Sequence, residues 1–337
     1  MKKAFKIIGY LVVALAVVVA AGVVYLRYTF PKVDAAPVIT IKKTPALVER
    51  GEYLAHHVAV CIDCHSTRDW SRFSGPVVPG THGKGGDVFN KDMGFPGTFY
   101  ARNITSDKET GIGSWTDGEI YRAITSGVSR NGEPLFPVMP YKGYANLTTN
   151  DAYAIIAYIR TLDPIKHKVP ESEPDFPMNL IMRTIPSGGP TPTDERTLGD
   201  ELVKGKYLMT VASCGDCHTP SDKGEPIAGM QLAGGMEFKL PGGVLRSANI
   251  SPDKQTGIGT WTEDAFVQRF KNHEAPEAAT AKLGPTDFNT IMPWAMYAGM
   301  KEEDLRAIYK YLMTQEPKKN KVERFTAATA GKADKGS

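Results

Sequence analysis

Net charge is almost absent from this chain. Its 40 Lys and Arg are balanced by 37 Asp and Glu, leaving a formal charge of +3, which excludes the strongly basic face that a nucleic-acid groove requires. Period-two alternation of polar and apolar residues is also scarce, so nothing in the sequence demands an extended sheet. Cysteine is limited to four residues in 337, and any cysteine-based chemistry has to be carried by those four. No short period of ~20 to 50 residues recurs, which excludes a solenoid.

Apolar material is present in quantity. With 42% hydrophobic residues and 9% aromatics, a chain of this length can close real cores and is expected to form about two domains. The first thirty residues differ from the rest. Lys2, Lys3 and Lys6 precede an uncharged run from Ile7 to Leu26, closed by Arg27 and Lys32. As a helix rising ~1.5 Å per residue, that run spans roughly the 30 Å of a bilayer core. A cleavable secretory signal is the alternative, with Val19-Ala20-Ala21 as a weak cleavage site. The lysines favour leaving the amino end inside. The expectation is a single-pass anchor in the cytoplasmic (inner) membrane, residues 1–30, with the remaining chain on the periplasmic or outer face.

After the anchor the chain repeats itself. Asn103-Ile104-Thr105-Ser106-Asp107-Lys108-Glu109-Thr110-Gly111-Ile112-Gly113-Ser114-Trp115-Thr116 returns from Asn249 to Thr262 with four changes. Gly51-Glu52-Tyr53-Leu54 returns as Gly205-Lys206-Tyr207-Leu208. This predicts two tandem copies over 45–164 and 198–316. Between them lies a proline-rich linker, 165–197, whose proline density argues against regular structure. The tail 317–337 has no periodicity and is expected to be flexible. Each copy reads as helical with long glycine- and proline-rich loops, an all-α fold. A helix should run from about Pro45 into the first cysteine motif, and another should start at Thr116, where Glu119 completes a capping box. In the last helix of each copy, Ile155, Ile156 and Ile159 correspond to Ile308, Tyr309 and Leu312 on one face.

All four cysteines fall into Cys61-Ile62-Asp63-Cys64-His65 and Cys214-Gly215-Asp216-Cys217-His218, the C-x-x-C-H pattern of covalent haem attachment. Two thiols one helical turn apart can add to two vinyl groups on one porphyrin edge, which places the next histidine to bind iron. Disulfides, a thioredoxin-like motif and a structural zinc site are the alternatives, and a histidine after both pairs in a duplicated unit weighs against them. The implied cofactors are two haem c. From His65 to Met139 is 74 residues, and from His218 to Met292 is also 74. The segments between are not simple copies, because motif to asparagine takes 38 residues in one copy and 31 in the other. Both methionines precede proline, so Met139 and Met292 are the expected second axial ligands of the iron. Thioether ligation raises the potential and leaves no vacant position, which suits electron transfer. Asn103, Trp115, Asn249 and Trp261 are possible propionate contacts, or equally turn and packing residues. His56, His57, His82, His167 and His273 do not recur between copies and read as surface or core histidines.

These halves resemble the class I cytochrome c domains found in the cytochrome c subunits of bacterial periplasmic alcohol, gluconate and aldehyde dehydrogenases. The C-x-x-C-H pairs, the duplicated Asn-to-Trp loops and the Met-Pro pairs carry the resemblance. In that family the glycine and aromatic residue of the first helix pack on an aromatic of the last, here Gly51 and Tyr53 with Tyr158, and Gly205 and Tyr207 with Tyr311. The resemblance implies an electron-transfer protein rather than an enzyme. Its donor would be a periplasmic dehydrogenase and its acceptor a terminal oxidase or other cytochrome of the respiratory chain. Many members carry three haem motifs, whereas two occur here. A dihaem, peroxidase-like oxidoreductase with one open haem is the alternative reading.

Overall fold

The computed structural model describes residues 2–222, 224–274 and 282–328. Its helices are α1 (Lys2–Thr29), α2 (Pro45–Tyr53), α3 (Cys61–Cys64), α4 (Asp117–Ser126), α5 (Tyr141–Tyr144), α6 (Thr149–Ile159), α7 (Met178–Thr184), α8 (Glu201–Val211), α9 (Cys214–His218), α10 (Glu263–Lys271), α11 (Trp294–Tyr297) and α12 (Glu302–Met313). None of the residues of α1 is buried. By length and composition it can cross a membrane.

Two equivalent helix crossings organise the rest. α2 lies against α6, and α8 lies against α12. Glycine permits both. A Cβ on Gly51 would fall 1.9 Å from the Ala154 carbonyl oxygen and 2.8 Å from Tyr158 Cβ, and one on Gly205 would fall 2.0 Å from the Ala307 oxygen and 2.8 Å from Tyr311 Cβ. Such contacts are far inside van der Waals distance, so backbone meets backbone only without a side chain. Ile155, Ile156, Ile159, Ile308 and Leu312 are buried beneath these crossings, as their spacing predicted. The capping box at Thr116 is formed: Glu119 N donates to Thr116 Oγ1 at 3.2 Å and Thr116 N donates to Glu119 Oε2 at 2.7 Å.

The expected helix from Pro45 into the cysteine motif is interrupted. It passes into a π-turn over Leu54–Val58 and breaks at Val60 before α3 begins. Ten residues separate Gly51 from Cys61, against nine from Gly205 to Cys214, and the π-turn absorbs the extra residue.

The halves meet through exchanged hydrogen bonds. Tyr53 Oη donates to Asp304 Oδ2 and Tyr207 Oη donates to Asp151 Oδ2, each at 2.5 Å. Each tyrosine therefore reaches the first turn of the other half's last helix, where a carboxylate is favoured by the helix dipole. Arg50 grips Asp151 with two bonds of 2.8 Å, and Lys204 lies 2.5 Å from Asp304. Leu54, Val58, Ile155, Leu208, Val211, Ile308 and Leu312 belong to one continuous core cluster.

Three expectations need correction. The fold is not all-α, because small antiparallel sheets decorate the loops: β1 (Val88–Phe89), β2 (Gly97–Tyr100) and β3 (Glu173–Pro174) form one, β4 (Ser221–Asp222) and β5 (Glu225–Pro226) a second, and β6 (Glu237–Leu240), β7 (Gly243–Arg246) and β8 (Phe325–Ala327) a third. Burial does alternate along β2 and β7, but runs of four residues are too short for the period to stand out in the sequence. The proline-rich linker holds β3 and α7, with Pro177 at the N-cap of α7, a place where a missing N–H costs nothing. Residues 317–328 of the tail are held: β8 pairs with β7, and Lys318 and Asn320 carbonyls accept from Asn249, while the rest of the tail, 329–337, lies outside the described residues.

Candidate cofactor site

Each Cys-x-x-Cys-His motif starts a one-turn helix entered through a left-handed residue, Val60 at φ 46° and Ser213 at φ 54°. A β-branched valine is disfavoured in that region, so the packed core around it imposes the turn. All four cysteines are free thiols. Both motifs border one cavity of about 2090 Å³, which His65, Met139, His218 and Met292 also line. The thiols face this cavity, Cys61, Cys64 and Cys214 half-buried and Cys217 exposed. The dense surroundings of the cavity wall push Cys61 and Cys214 up to about 12 and Cys217 up to about 11.

The histidines are held identically. His65 Nδ1 lies 2.7 Å from the Arg102 carbonyl oxygen, and His218 Nδ1 lies 2.7 Å from that of Ala248. A carbonyl only accepts, so Nδ1 carries the proton and Nε2 keeps its lone pair for a metal. Burial lowers the pKa of both imidazoles, favouring the neutral form. Two glycines missed by the sequence reading make this contact possible. Gly85 (φ 75°) and Gly234 (φ 69°) donate N–H to the His65 and His218 carbonyls, and a Cβ on either would strike the backbone of Arg102 or Ala248 at 2.5 and 2.4 Å. The duplicated pairs Gly85-Gly86 and Gly234-Gly235 were the available signal.

Asn103 and Asn249 directly follow the two carbonyls that hold the histidines. Asn103 Nδ2 donates to Thr110 Oγ1 and to the carbonyls of Ile165 and His167, while its Oδ1 accepts from Thr105 N and Oγ1. Asn249 makes the same set with Thr256, Lys318, Asn320 and Ser251. These bonds occupy the amides in building the loop. Of the two roles open to them, propionate donation gives way to the turn role, through which they fix the carbonyl under each histidine. Trp115 and Trp261 line the cavity, with their carbonyls held by Arg160 and Tyr309 respectively.

Met139 and Met292 sit in matching turns. Tyr141 N donates to the Met139 carbonyl and Trp294 N to that of Met292, each at 2.8 Å, and the following prolines share φ of −79°. Met93, Met182 and Met300 also touch the cavity but stand in unmatched surroundings. The unequal loop lengths have a structural counterpart. In the first half a loop turns through Ser74 and Gly75, both left-handed, and reaches the second methionine segment: Ser74 Oγ donates to the Met292 carbonyl at 2.5 Å and Ser74 N to Asn289 Oδ1 at 2.9 Å.

Two buried tyrosines stand between the motifs. Tyr144 Oη donates to the Ala59 carbonyl and Tyr297 Oη to the Ala212 carbonyl, each at 2.7 Å. Burial raises both phenols well above their usual range, and Tyr297 also feels Cys214 of its own half and Cys64 of the other. Of the unmatched histidines, His56 Nε2 meets Tyr158 Oη at 2.6 Å, His57 Nδ1 meets the Met296 carbonyl at 2.7 Å, and His273 stacks on Trp294 with its Nε2 buried and without a hydrogen-bond partner among the described residues.

Paired free thiols, a histidine with Nε2 available and a cavity between them fit a covalently held haem. Comparison with known proteins agrees in kind. The cytochrome c family matches residues 202–316. The chain is 30% identical over 285 residues to the alcohol dehydrogenase (quinone) cytochrome c subunit of Gluconobacter oxydans (strain 621H), covering 79% of this chain and 54% of that one. It is 29% identical over 280 residues to the gluconate 2-dehydrogenase cytochrome c subunit of Pantoea cypripedii, covering 79% and 59%. The chain thus spans a little over half the length of these subunits. To a diheme cytochrome c-type protein of Cereibacter sphaeroides it is 29% identical over 310 residues, covering 90% and 96%. Residues 202–316 match a cytochrome c domain, and most of the chain's length is similar to cytochrome c subunits of dehydrogenases and to a diheme cytochrome.

Proposed function

We propose that this protein carries two haem c groups and relays electrons from a periplasmic dehydrogenase toward the respiratory chain, held to the cytoplasmic membrane by α1. The first site comprises Cys61, Cys64, His65 and Met139, and the second Cys214, Cys217, His218 and Met292. Haem iron supplies one-electron exchange, and the chain's residues set its terms. His65 and His218 offer neutral Nε2 in an orientation fixed by a backbone carbonyl, which makes them stronger donors. Met139 and Met292 add a soft neutral donor that favours the reduced state. Buried aromatic and aliphatic side chains exclude water, so little rearranges when charge changes. The haem domains correspond to 45–164 and 198–316, the second extended by β8. Since both motifs border one cavity with Tyr144 and Tyr297 between them, electrons would pass inside the chain between its two sites.

The observation that carries this reading is the doubled histidine: the same Nδ1-to-carbonyl bond of 2.7 Å, beside the same cavity, in both halves. The test is the absorption spectrum of the purified protein with haem counted by pyridine haemochrome. Two haems per chain, both low-spin, are expected, with the weak sulfur-to-iron band near the red end lost only when Met139 and Met292 are replaced together. A high-spin fraction that binds carbon monoxide on reduction would refute double His/Met ligation and favour the peroxidase-like alternative.

A further inference from the structure

The apolar run of α1 ends at Leu26. If Ile7–Leu26 crosses a hydrocarbon core of ~30 Å, Arg27 to Phe30 stand at headgroup depth on the outer side. The start of the haem-bearing part is tied to that level by α7. The Arg183 guanidinium donates to the carbonyls of Phe30 (3.2 Å) and Arg27 (3.4 Å) and pairs with Glu133 at 2.5 Å. Gly188 N donates to the Lys32 carbonyl at 3.0 Å. α7 therefore shares the depth of the last turn of α1.

Around this junction the chain leaves large apolar side chains uncovered. Phe176 is 79% exposed, Ile181 46% and Tyr28 86%. A short apolar segment beside aromatic residues and flanked by cations matches the composition of a bilayer interface, where rings sit among headgroups and apolar side chains reach the acyl boundary. A protein partner would be free to choose any face of the molecule. The lipid surface is instead already next to this one, because the same chain passes through it at Arg27.

We propose that Phe176 and Ile181 rest in the outer headgroup layer of the membrane, making α7 a second, surface contact beside the spanning helix. This rests on the reading of α1 as a retained anchor. The contact has a consequence for orientation. Arg183 of this segment pairs with Glu133, in the loop that leads to Met139, and β3 just before Phe176 pairs with β2 of the first half, so the first site is the membrane-proximal one and turns with α7 rather than swinging on a flexible stalk.

The test uses the full-length, haem-loaded protein in phosphatidylcholine liposomes, its native cysteines held in thioether links. Single cysteines introduced as F176C, I181C, V18C and K254C carry an environment-sensitive fluorophore, and lipids spin-labelled at shallow or deep positions serve as quenchers. The expected result is deep quenching at position 18, at least twofold loss by the shallow label at 176 and 181, and no loss at 254. Deep quenching at 18 with positions 176 and 181 behaving like 254 would overturn the surface contact while leaving the anchor intact. No quenching at 18 would remove the anchor and the proposal with it. A blue-shifted signal at 181 that no lipid label quenches would mean a protein cover, such as a second copy, and would likewise overturn it.

Discussion

Gly51 and Gly205 carry more of the fold than their size suggests. A methyl group at position 51 would be placed 1.9 Å from the Ala154 carbonyl oxygen, and backbone in a packed crossing cannot retreat as a flexible side chain can. Gly51→Ala is expected to destabilise the protein by about 3 kcal/mol, the upper end of ordinary overpacking, as measured by urea unfolding of the haem-loaded form. Gly132→Ala serves as a comparison, since a Cβ there meets nothing within 4 Å, although its positive φ carries a strain of its own. A Gly51→Ala loss no larger than that of Gly132→Ala would mean the helices part readily. This glycine was legible from sequence because its neighbours recur in the second copy. His56 was legible only as a residue without a counterpart, since nothing local reveals Tyr158 or His82 beside it. Burial, then the nearby His57 and His82, lower its pKa from 6.5 to about 4. Between those values the unfolded chain binds more protons at this position than the folded one, so stability is full above pH 6.5 and declines as pH falls toward 4. Melting temperatures at pH 7.5 and 5.0 should therefore draw closer together in His56→Gln than in the parent protein; an unchanged gap would show that His56 does not titrate as argued.

Elements that pack across the chain were the hardest to read from sequence. The C-x-x-C-H helices, the last helix of each half and the Thr116 cap follow from local patterns, and the structure has them. The sheets escaped because each strand is two to four residues long, and α7 escaped because seven prolines surround it. The loop through Ser74 was visible only as a difference in spacing, 38 residues against 31. Its role lies in the other half, where Ser74 Oγ holds the Met292 carbonyl and accepts from Trp294 N at 3.2 Å. Ser74→Ala removes both bonds while the Met292 carbonyl and the Trp294 N–H keep their bond to each other, at a cost of about 0.5 to 1.5 kcal/mol per bond lost. On the proposed ligation the effect should be selective: the spectral band and midpoint potential of the Met292 site should shift, while those of the Met139 site stay put. Equal shifts at both sites would contradict a strap that acts on one methionine segment.

At the scale of the molecule, the two halves are joined more by their interface than by their connector. Tyr53 and Tyr207 cross to opposite halves, Arg50 and Lys204 brace the same carboxylates, and the apolar core runs through Leu54, Val58, Leu208 and Val211 without a break. The sequence showed duplication but gave no register between the copies, because the residues that meet are distant in the chain and each looks like an ordinary first-helix tyrosine. The family pattern places these tyrosines on an aromatic of the last helix; here the glycines make that contact and the hydroxyls turn outward to the other half. Cutting the connector should therefore not release two proteins. With a protease site inserted between Gly188 and Gly189, both exposed, the nicked, haem-loaded protein is expected to elute from a sizing column at its original volume and to keep the two proposed haems in one peak. Tyr53→Phe with Tyr207→Phe removes two hydrogen bonds to carboxylates, each worth about 1.5 to 3 kcal/mol, and the nicked double variant should dissociate at low micromolar concentration while the nicked parent does not. Separation of the nicked parent into two single-haem fragments would mean that the connector, rather than the exchanged tyrosines, holds the two sites next to one another.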